Sequence, residues 1–171
     1  MTKRSLSLFT LLIAVFFGFS ACNEEDPLKV IPPDYSDAPA AYDLEDVPAD
    51  TMENGLQIYY VEEGYGTYPV TPRDIVMVYY TGRRTDSTIF DSSYGNGTTL
   101  PRSFTLNAQG PGGFSLTEGF RLGLLGMKTG EKRTLIVPPS LGYEGSNNTL
   151  ANDTLIFDIE LDEIVTQKGS F

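Results

Sequence analysis

From Thr154 to Val165 the side chains alternate. Leu155, Phe157, Ile159 and Leu161 are apolar, and Ile156, Asp158, Glu160 and Asp162 stand between them. A period of two places successive side chains on opposite faces of an extended strand, so this stretch requires a sheet with one buried face and one mostly wet face. The outward carboxylates form a flat row that cannot wrap a calcium ion as a loop does. Leu56 to Val61, Ile75 to Tyr80, Ser103 to Leu106 and Arg133 to Val137 are rich in β-branched and aromatic residues and are separated by Gly, Pro and Asn clusters, which makes them the partner strands. One stretch reads as helix: Thr117 caps, Glu118 lies in the first turn, and Phe120, Leu124 and Met127 recur at helical spacing before Gly126 and Gly130 end it. Gly119 and Gly123 lower its intrinsic propensity, so packing against the sheet must hold it. The expected class is α+β, an antiparallel sheet with one short helix on one face. The turn spacing leaves no room for a βαβ crossover.

The amino terminus is of another kind. Lys3 and Arg4 precede an apolar run from Leu8 to Phe19 and then Ser20-Ala21-Cys22, which reads as a signal peptide over residues 1–21. The run is short of the ~20 residues a membrane span needs and is followed by acidic residues, which disfavours a permanent transmembrane anchor. Small residues before the one cysteine are similar to a bacterial lipobox with Phe19 at its first position, which makes Cys22 the expected lipid attachment and the membrane a partner. Residues 22–50 hold nine acidic side chains against Lys29, with Pro27, Pro32, Pro33, Pro39 and Pro48, and no apolar periodicity. Such a composition buries too little surface to offset its ordering entropy, so an extended tether is expected there and one domain over residues 51–171. The chain's net charge of −11 becomes −13 once Lys3 and Arg4 are removed, which excludes nucleic acid as a partner.

The residue inventory excludes several chemistries. No histidine is present and the single cysteine is assigned to lipid, so histidine-assisted serine or cysteine catalysis and the usual zinc ligand sets are absent. There is no phosphate-binding G-x-x-x-x-G-K-[ST] loop, and Gly110, Gly112 and Gly113 do not follow a strand. The Asn-x-Thr triplets at Asn96, Asn147 and Asn152 read as turns. What survives is a site of aromatic and aliphatic groups with few polar atoms. Such a site suits rotation about a peptide bond, whose barrier of ~18–20 kcal/mol comes from amide resonance. The twisted transition state has lost that resonance and is less polar than the planar ground state, so an apolar pocket binds it preferentially, without metal or cofactor.

Four stretches occur in order: Val78-Tyr79-Tyr80-Thr81-Gly82, Phe90-Asp91-Ser92-Ser93, Gly126-Met127-Lys128-Thr129-Gly130-Glu131-Lys132-Arg133, and Tyr143 after Pro139. Together, and with the closing strand, they resemble the signature of the FKBP-type peptidyl-prolyl isomerases over residues 51 to 166. The resemblance implies an FKBP-like antiparallel sheet wrapped around one short helix. It implies a proline pocket lined by Tyr80, Phe90, Asp91, Tyr143 and Phe157, with Phe120 as its floor where the family often has tryptophan. Phe90, Phe120 and Phe157 would be walls. Tyr143 would donate to a substrate carbonyl, and Asp91 would orient the polar rim without acting as a base. Backbone N–H groups near Leu116 and Thr117, at the helix start, would hold a second carbonyl. Gly82, Gly126, Gly130 and Pro139 read as scaffold.

The chain departs from that pattern at Arg102, where an aromatic wall is usual, and at Thr117, where isoleucine is usual. The loop after Tyr143 lacks the I-P-P run, with Leu150 expected to replace its apolar contact, and Asn107 to Phe114 is an insertion. The expectation is therefore a monomeric, lipid-anchored isomerase of the bacterial cell envelope. It would act on proline-containing segments of exported proteins and admit macrolide-type inhibitors. The alternative is an FKBP-fold peptide-binding module or holdase in which the rim changes have removed turnover.

Overall fold

The alternating segment lies at the centre of the sheet. A computed structural model describes residues 32–107 and 116–165; Pro33–Phe171 form one unit, and Met1–Pro32 form another of which only Pro32 is described. Cys22 and most of the insertion expected over 107–114 therefore lie outside the described residues. In chain order the strands are β1 (Ala49–Thr51), β2 (Gln57–Glu62), β3 (Ile75–Arg84), β4 (Ile89–Ser92), β5 (Tyr94–Gly95), β6 (Thr98–Thr99), β7 (Arg102–Thr105), β8 (Lys132–Val137) and β9 (Leu155–Val165), with α1 (Glu118–Leu124) before β8. The main sheet runs β1-β2-β8-β9-β3-β4, all neighbours antiparallel, and β7 also pairs with β3. β3 is long enough to share one side between β7, along Ile75–Val78, and β4, along Thr81–Arg83. Asn96 and Gly97, both at positive φ, make the tight turn of the small β5–β6 hairpin, as expected of an Asn-Gly pair.

The apolar face of the sheet and the helix enclose the core. Leu155, Ile159 and Leu161 of β9 are fully buried, and so are Val76, Val78, Leu135 and Val137 of the neighbouring strands. Each such side chain contributes roughly 1.5–3 kcal/mol over the exposed state. Thr117 caps α1, its hydroxyl accepting from the Phe120 N–H at 3.4 Å. The helix ends at Leu124, so Met127 packs in the core from beyond it. The two glycines that weaken the helix are what let it approach the sheet: a Cβ on Gly123 would lie 2.1 Å from Leu135 Cδ1, and one on Gly119 2.4 Å from Val137 Cγ1. Arg133 of β8 fixes the helix end, donating to the Gly123 and Leu125 carbonyls at 2.8 and 3.0 Å while its Nε donates to Glu131 at 2.6 Å. It thereby satisfies carbonyls that a helix terminus leaves without internal partners.

The opposite face differs from the wet surface and free tether expected from sequence. Asp158 is only 5 % exposed and Arg83 6 %. They form an ion pair, and Asp158 also accepts from the Thr134 hydroxyl at 2.7 Å. What covers them is the segment expected to be a spacer. β1 adds it to one edge of the sheet. From there Tyr42 reaches the neighbourhood of Glu160 and Asp158, where burial first and then those carboxylates push its phenol pKa up. The Pro39 carbonyl accepts from Arg83 Nη2 at 2.6 Å, and Tyr35 donates to the Phe90 carbonyl of β4, at the other edge, at 3.4 Å. Crossing six strands requires about 24 Å at ~4.8 Å per strand spacing, well within the reach of residues 35–49. Tyr35, Ala38, Tyr42, Leu44 and Val47 turn half-buried side chains to the domain along this strap. A buried Arg–Asp pair is stable only with its remaining polar groups occupied, and the Pro39 carbonyl and Thr134 hydroxyl occupy them.

Candidate active site

The inner face of β3, β4, β7 and β9 and the start of α1 surround a cavity of about 350 Å³. Its lining is Tyr80, Phe90, Asp91, Arg102, Ser103, Phe104, Leu116, Thr117, Phe120, Tyr143 and Phe157. Phe120 is the hub of the aromatic part. Its ring lies edge-on to Phe157 at 4.9 Å between centroids, to Phe104 at 5.4 Å and to Tyr80 at 5.5 Å, while Phe90 meets Phe157 at 5.6 Å. Edge-to-face contacts of this kind add about 0.5–1.5 kcal/mol each beyond area burial, and they fix the orientation of the rings.

The polar part is built on Asp91. Its Oδ2 accepts the Tyr80 hydroxyl at 2.6 Å, and its Oδ1 accepts the Ser92 N–H at 2.9 Å and faces Arg102 Nη1 at 3.4 Å. Burial and then the Asp91 hydrogen bond push the Tyr80 phenol pKa far up, so Tyr80 stays a neutral donor to Asp91. Two serines hold this arrangement. Ser93 Oγ accepts the Tyr80 N–H at 2.9 Å, and Ser92 Oγ donates to the Tyr80 carbonyl at 3.0 Å. These bonds replace the ladder where β4 stops, which accounts for the polar pair after Phe90-Asp91. The Tyr143 pKa is raised by burial and then by the Asp91 charge; among the described residues no hydrogen bond engages its hydroxyl.

Of the residues singled out from sequence, Tyr80, Phe90, Asp91, Leu116, Thr117, Phe120, Tyr143 and Phe157 meet at this cavity. Leu150 does not. It is 7 % exposed within the hydrophobic core, in a turn where its N–H donates to Asn148 Oδ1 at 2.9 Å. A leucine in a polar loop gains more from the core beneath it than from a pocket mouth open to water. Arg102 also differs from the lost wall expected at that position. Its guanidinium lies 5.6 Å from the Tyr80 ring centroid and donates to the Ser92 carbonyl at 2.8 Å, so a flat cation stands where an aromatic wall is usual. Phe104 is a lining residue that sequence reading placed only on a strand; its spacing of two from Arg102 was the available signal. Among the described residues no His, Cys, Asp and Glu cluster could hold a metal ion.

Residues 66–162 match the FKBP_C family, described as FKBP-type peptidyl-prolyl cis-trans isomerase. FK506-binding protein 1A of Neurospora crassa is 43% identical over 122 residues, which are 68% of this chain and 94% of that protein. The FKBP-type peptidyl-prolyl cis-trans isomerase FkpA of Aeromonas hydrophila is 41% identical over 113 residues, 65% of this chain and 38% of that protein. Among solved structures, FkpA from Escherichia coli superposes with a TM-score of 0.59 at 33% identity, over 71% of this chain and 53% of that one. The similarity thus spans nearly all of the Neurospora protein but about two fifths of the Aeromonas one.

Proposed function

This chain belongs to the family of FKBP-type peptidyl-prolyl cis-trans isomerases, and from that premise we propose that its aromatic cavity accelerates X-Pro rotation in exported proteins at the bacterial cell envelope, with Cys22 as the lipid anchor. The observation that carries the catalytic part is the division of labour among the polar groups. Asp91 is occupied by Tyr80, Ser92 and Arg102, and the Tyr143 hydroxyl is left to a ligand. A carboxylate so engaged is an orienting group. The proline ring sits on Phe120 between Phe90 and Phe157, and Tyr143 donates to the carbonyl of the bond's amino-side residue or its neighbour. Backbone N–H groups at the helix start hold the chain after proline, since the first turn of a helix leaves its donors without internal partners. The apolar walls favour the twisted amide because its charge separation has collapsed, and each 1.36 kcal/mol of that preference is tenfold in rate. A macrolide of the FK506 class would compete for the same walls.

The envelope assignment rests on the basic leader, the apolar run and the small residues before Cys22. The catalytic assignment is tested with the full chain and a short X-Pro peptide, following cis-to-trans exchange by NMR against an uncatalysed time of ~10–100 s. Acceleration that FK506 suppresses is expected. No acceleration by the parent chain, together with suppressed aggregation of an unfolded client, would replace the isomerase with a holdase. The anchor is tested by globomycin, which blocks lipoprotein signal cleavage: accumulation of an uncleaved form is expected, and unchanged processing removes the lipid from the proposal.

A further inference from the structure

The segment that crosses the outer face of the sheet ends beside the cavity, and its last contacts fall on the element that carries Phe90 and Asp91. β4 is an edge strand paired with β3 at only three positions, with an irregularity between Gly82 and Arg83. Beyond it the chain enters a two-residue hairpin outside the main sheet. Among the described residues no further strand of the main sheet pairs with the outer side of β4. Asp34 and Tyr35 supply the brace. The Asp34 N–H donates to Asn96 Oδ1 at 3.0 Å, and the Asn96 N–H returns a bond to the Asp34 carbonyl at 2.7 Å. The Tyr35 hydroxyl donates to the Phe90 carbonyl at 3.4 Å, and its ring lies against Gly95, where a Cβ would come within 3.2 Å of Tyr35 Cε1. Two turns shape the docking end, with the Ser36 N–H donating to Asp34 Oδ1 at 2.9 Å and the Ala38 N–H to the Tyr35 carbonyl at 3.0 Å. The Tyr35 phenol is close enough to Asp91 for that charge to raise its pKa, after burial.

We propose that residues 34–38 belong to the catalytic apparatus and that Tyr35 is a positioning residue: by packing on Gly95 and holding the Phe90 carbonyl it sets the edge on which Phe90 and Asp91 meet Tyr80 and Phe157. The proposal rests on the isomerase reading for its kinetic consequence and on packing alone for its structural one. Catalytic groups tolerate little displacement, and a shift of 1 Å can cost on the order of a hundredfold in rate. The 2.6 Å bond from Tyr80 to Asp91 and the edge contact of Phe90 on Phe157 are what such a shift would loosen.

The test uses the full chain and the variants Tyr35→Ala, Tyr35→Phe, Asn96→Gly and Tyr42→Ala. Tyr42 is the control, since it lies on the same strap but near Glu160 and Asp158 of β9. Tyr35→Ala should lower kcat/KM for an X-Pro peptide by about five- to tenfold, and Tyr35→Phe, which keeps the ring on Gly95 but loses the long 3.4 Å bond to the Phe90 carbonyl, should recover most of it, to within about two- to threefold of the parent. Asn96→Gly keeps the turn and removes the carboxamide, and it should act in the same direction as Tyr35→Ala but less. Tyr42→Ala should lower the melting temperature while leaving kcat/KM, measured well below that temperature, within about twofold. In parallel, the aromatic NMR signals of Phe90 and Phe157 should move in Tyr35→Ala and stay in place in Tyr42→Ala. Unmoved rings and an unchanged rate in Tyr35→Ala, or equal effects of Tyr42→Ala on both, overturn the proposal. Should Tyr35→Ala fail to fold, Asn96→Gly decides by the same readouts. A parent chain without turnover would sink the isomerase reading, and the ring signals would still decide whether Tyr35 positions the edge.

Discussion

A carboxylate at the lip of an apolar cavity is costly unless its lone pairs are occupied, and around Asp91 the Tyr80 hydroxyl, the Ser92 N–H and the Arg102 guanidinium occupy them. Asp91→Ala leaves the buried Tyr80 hydroxyl without its acceptor, so urea unfolding should show a loss of about 1–3 kcal/mol along with the loss of activity. Tyr143→Phe separates the two effects. Its hydroxyl is free of partners among the described residues, so the unfolding midpoint should stay within about 0.5 kcal/mol of the parent, while kcat/KM falls about tenfold for a lost transition-state hydrogen bond. At this scale most of the candidate site was legible, because Tyr80, Phe90, Asp91 and Tyr143 are fixed by short local patterns. Leu150 was not: whether a loop leucine turns to a pocket or to the core depends on what lies beneath it, which its neighbours in sequence do not encode. Arg102 was legible as a departure but not as a replacement, since its pairing with Asp91 and its place over Tyr80 arise only when β7 lies beside β3.

Among the elements, α1 depends on its glycines. Gly123→Ala improves intrinsic helix propensity but places a Cβ 2.1 Å from Leu135 Cδ1, so either the fully buried Leu135 side chain or the helix that carries Phe120 must shift. The expected outcome is a net destabilisation of about 1–3 kcal/mol in urea titration and weaker peptide binding, the overpacking term exceeding the propensity gain. The strap leads to a sharper prediction. A chain starting at residue 33 should unfold at the temperature of the parent, whereas one starting at residue 52 should melt well below it, because Arg83 and Asp158 then face water without the Pro39 carbonyl. Equal melting of the two truncations would show that the strap adds no stability. β9 and α1 were readable because alternation and capping are properties of adjacent residues. The strap was not, since Pro39 meets Arg83 and Tyr35 meets Phe90 across more than forty positions, and a Pro-rich acidic segment has the same local pattern whether it is loose or laid on a sheet. The outward side of β9 was misread for the same reason: Asp158 is wet in any account that omits the strap.

For the whole molecule, charge regulation falls to tyrosine. The chain has no histidine, so no imidazole changes charge around neutrality, and stability should be nearly flat from about pH 6 to 9. Tyr35, Tyr42, Tyr80, Tyr94 and Tyr143 all have phenol pKa values raised by burial in the fold. Above pH ~10 the unfolded chain sheds phenolic protons that the folded one keeps, so stability present below that pH is lost as pH rises. A fully retained proton such as that of Tyr80 contributes about 1.4 kcal/mol of loss per pH unit, and urea midpoints at pH 7, 9, 10.5 and 11.5 should show a plateau followed by a steep fall. A fall centred near pH 8 would contradict it. The strap also sets a working radius. It transfers the departure point of the chain from the β1 edge of the sheet to the β4 edge, beside the proline cavity. With lipid on Cys22, only eleven residue steps remain to Pro33, which span at most about 40 Å however they run. Had the domain begun near residue 50, the leash would have been more than twice as long. If Cys22 carries the proposed lipid, an enzyme on so short a leash would sample a thin shell of space next to its bilayer, and the clients within its reach would be chains emerging at that surface, not those already diffusing beyond it.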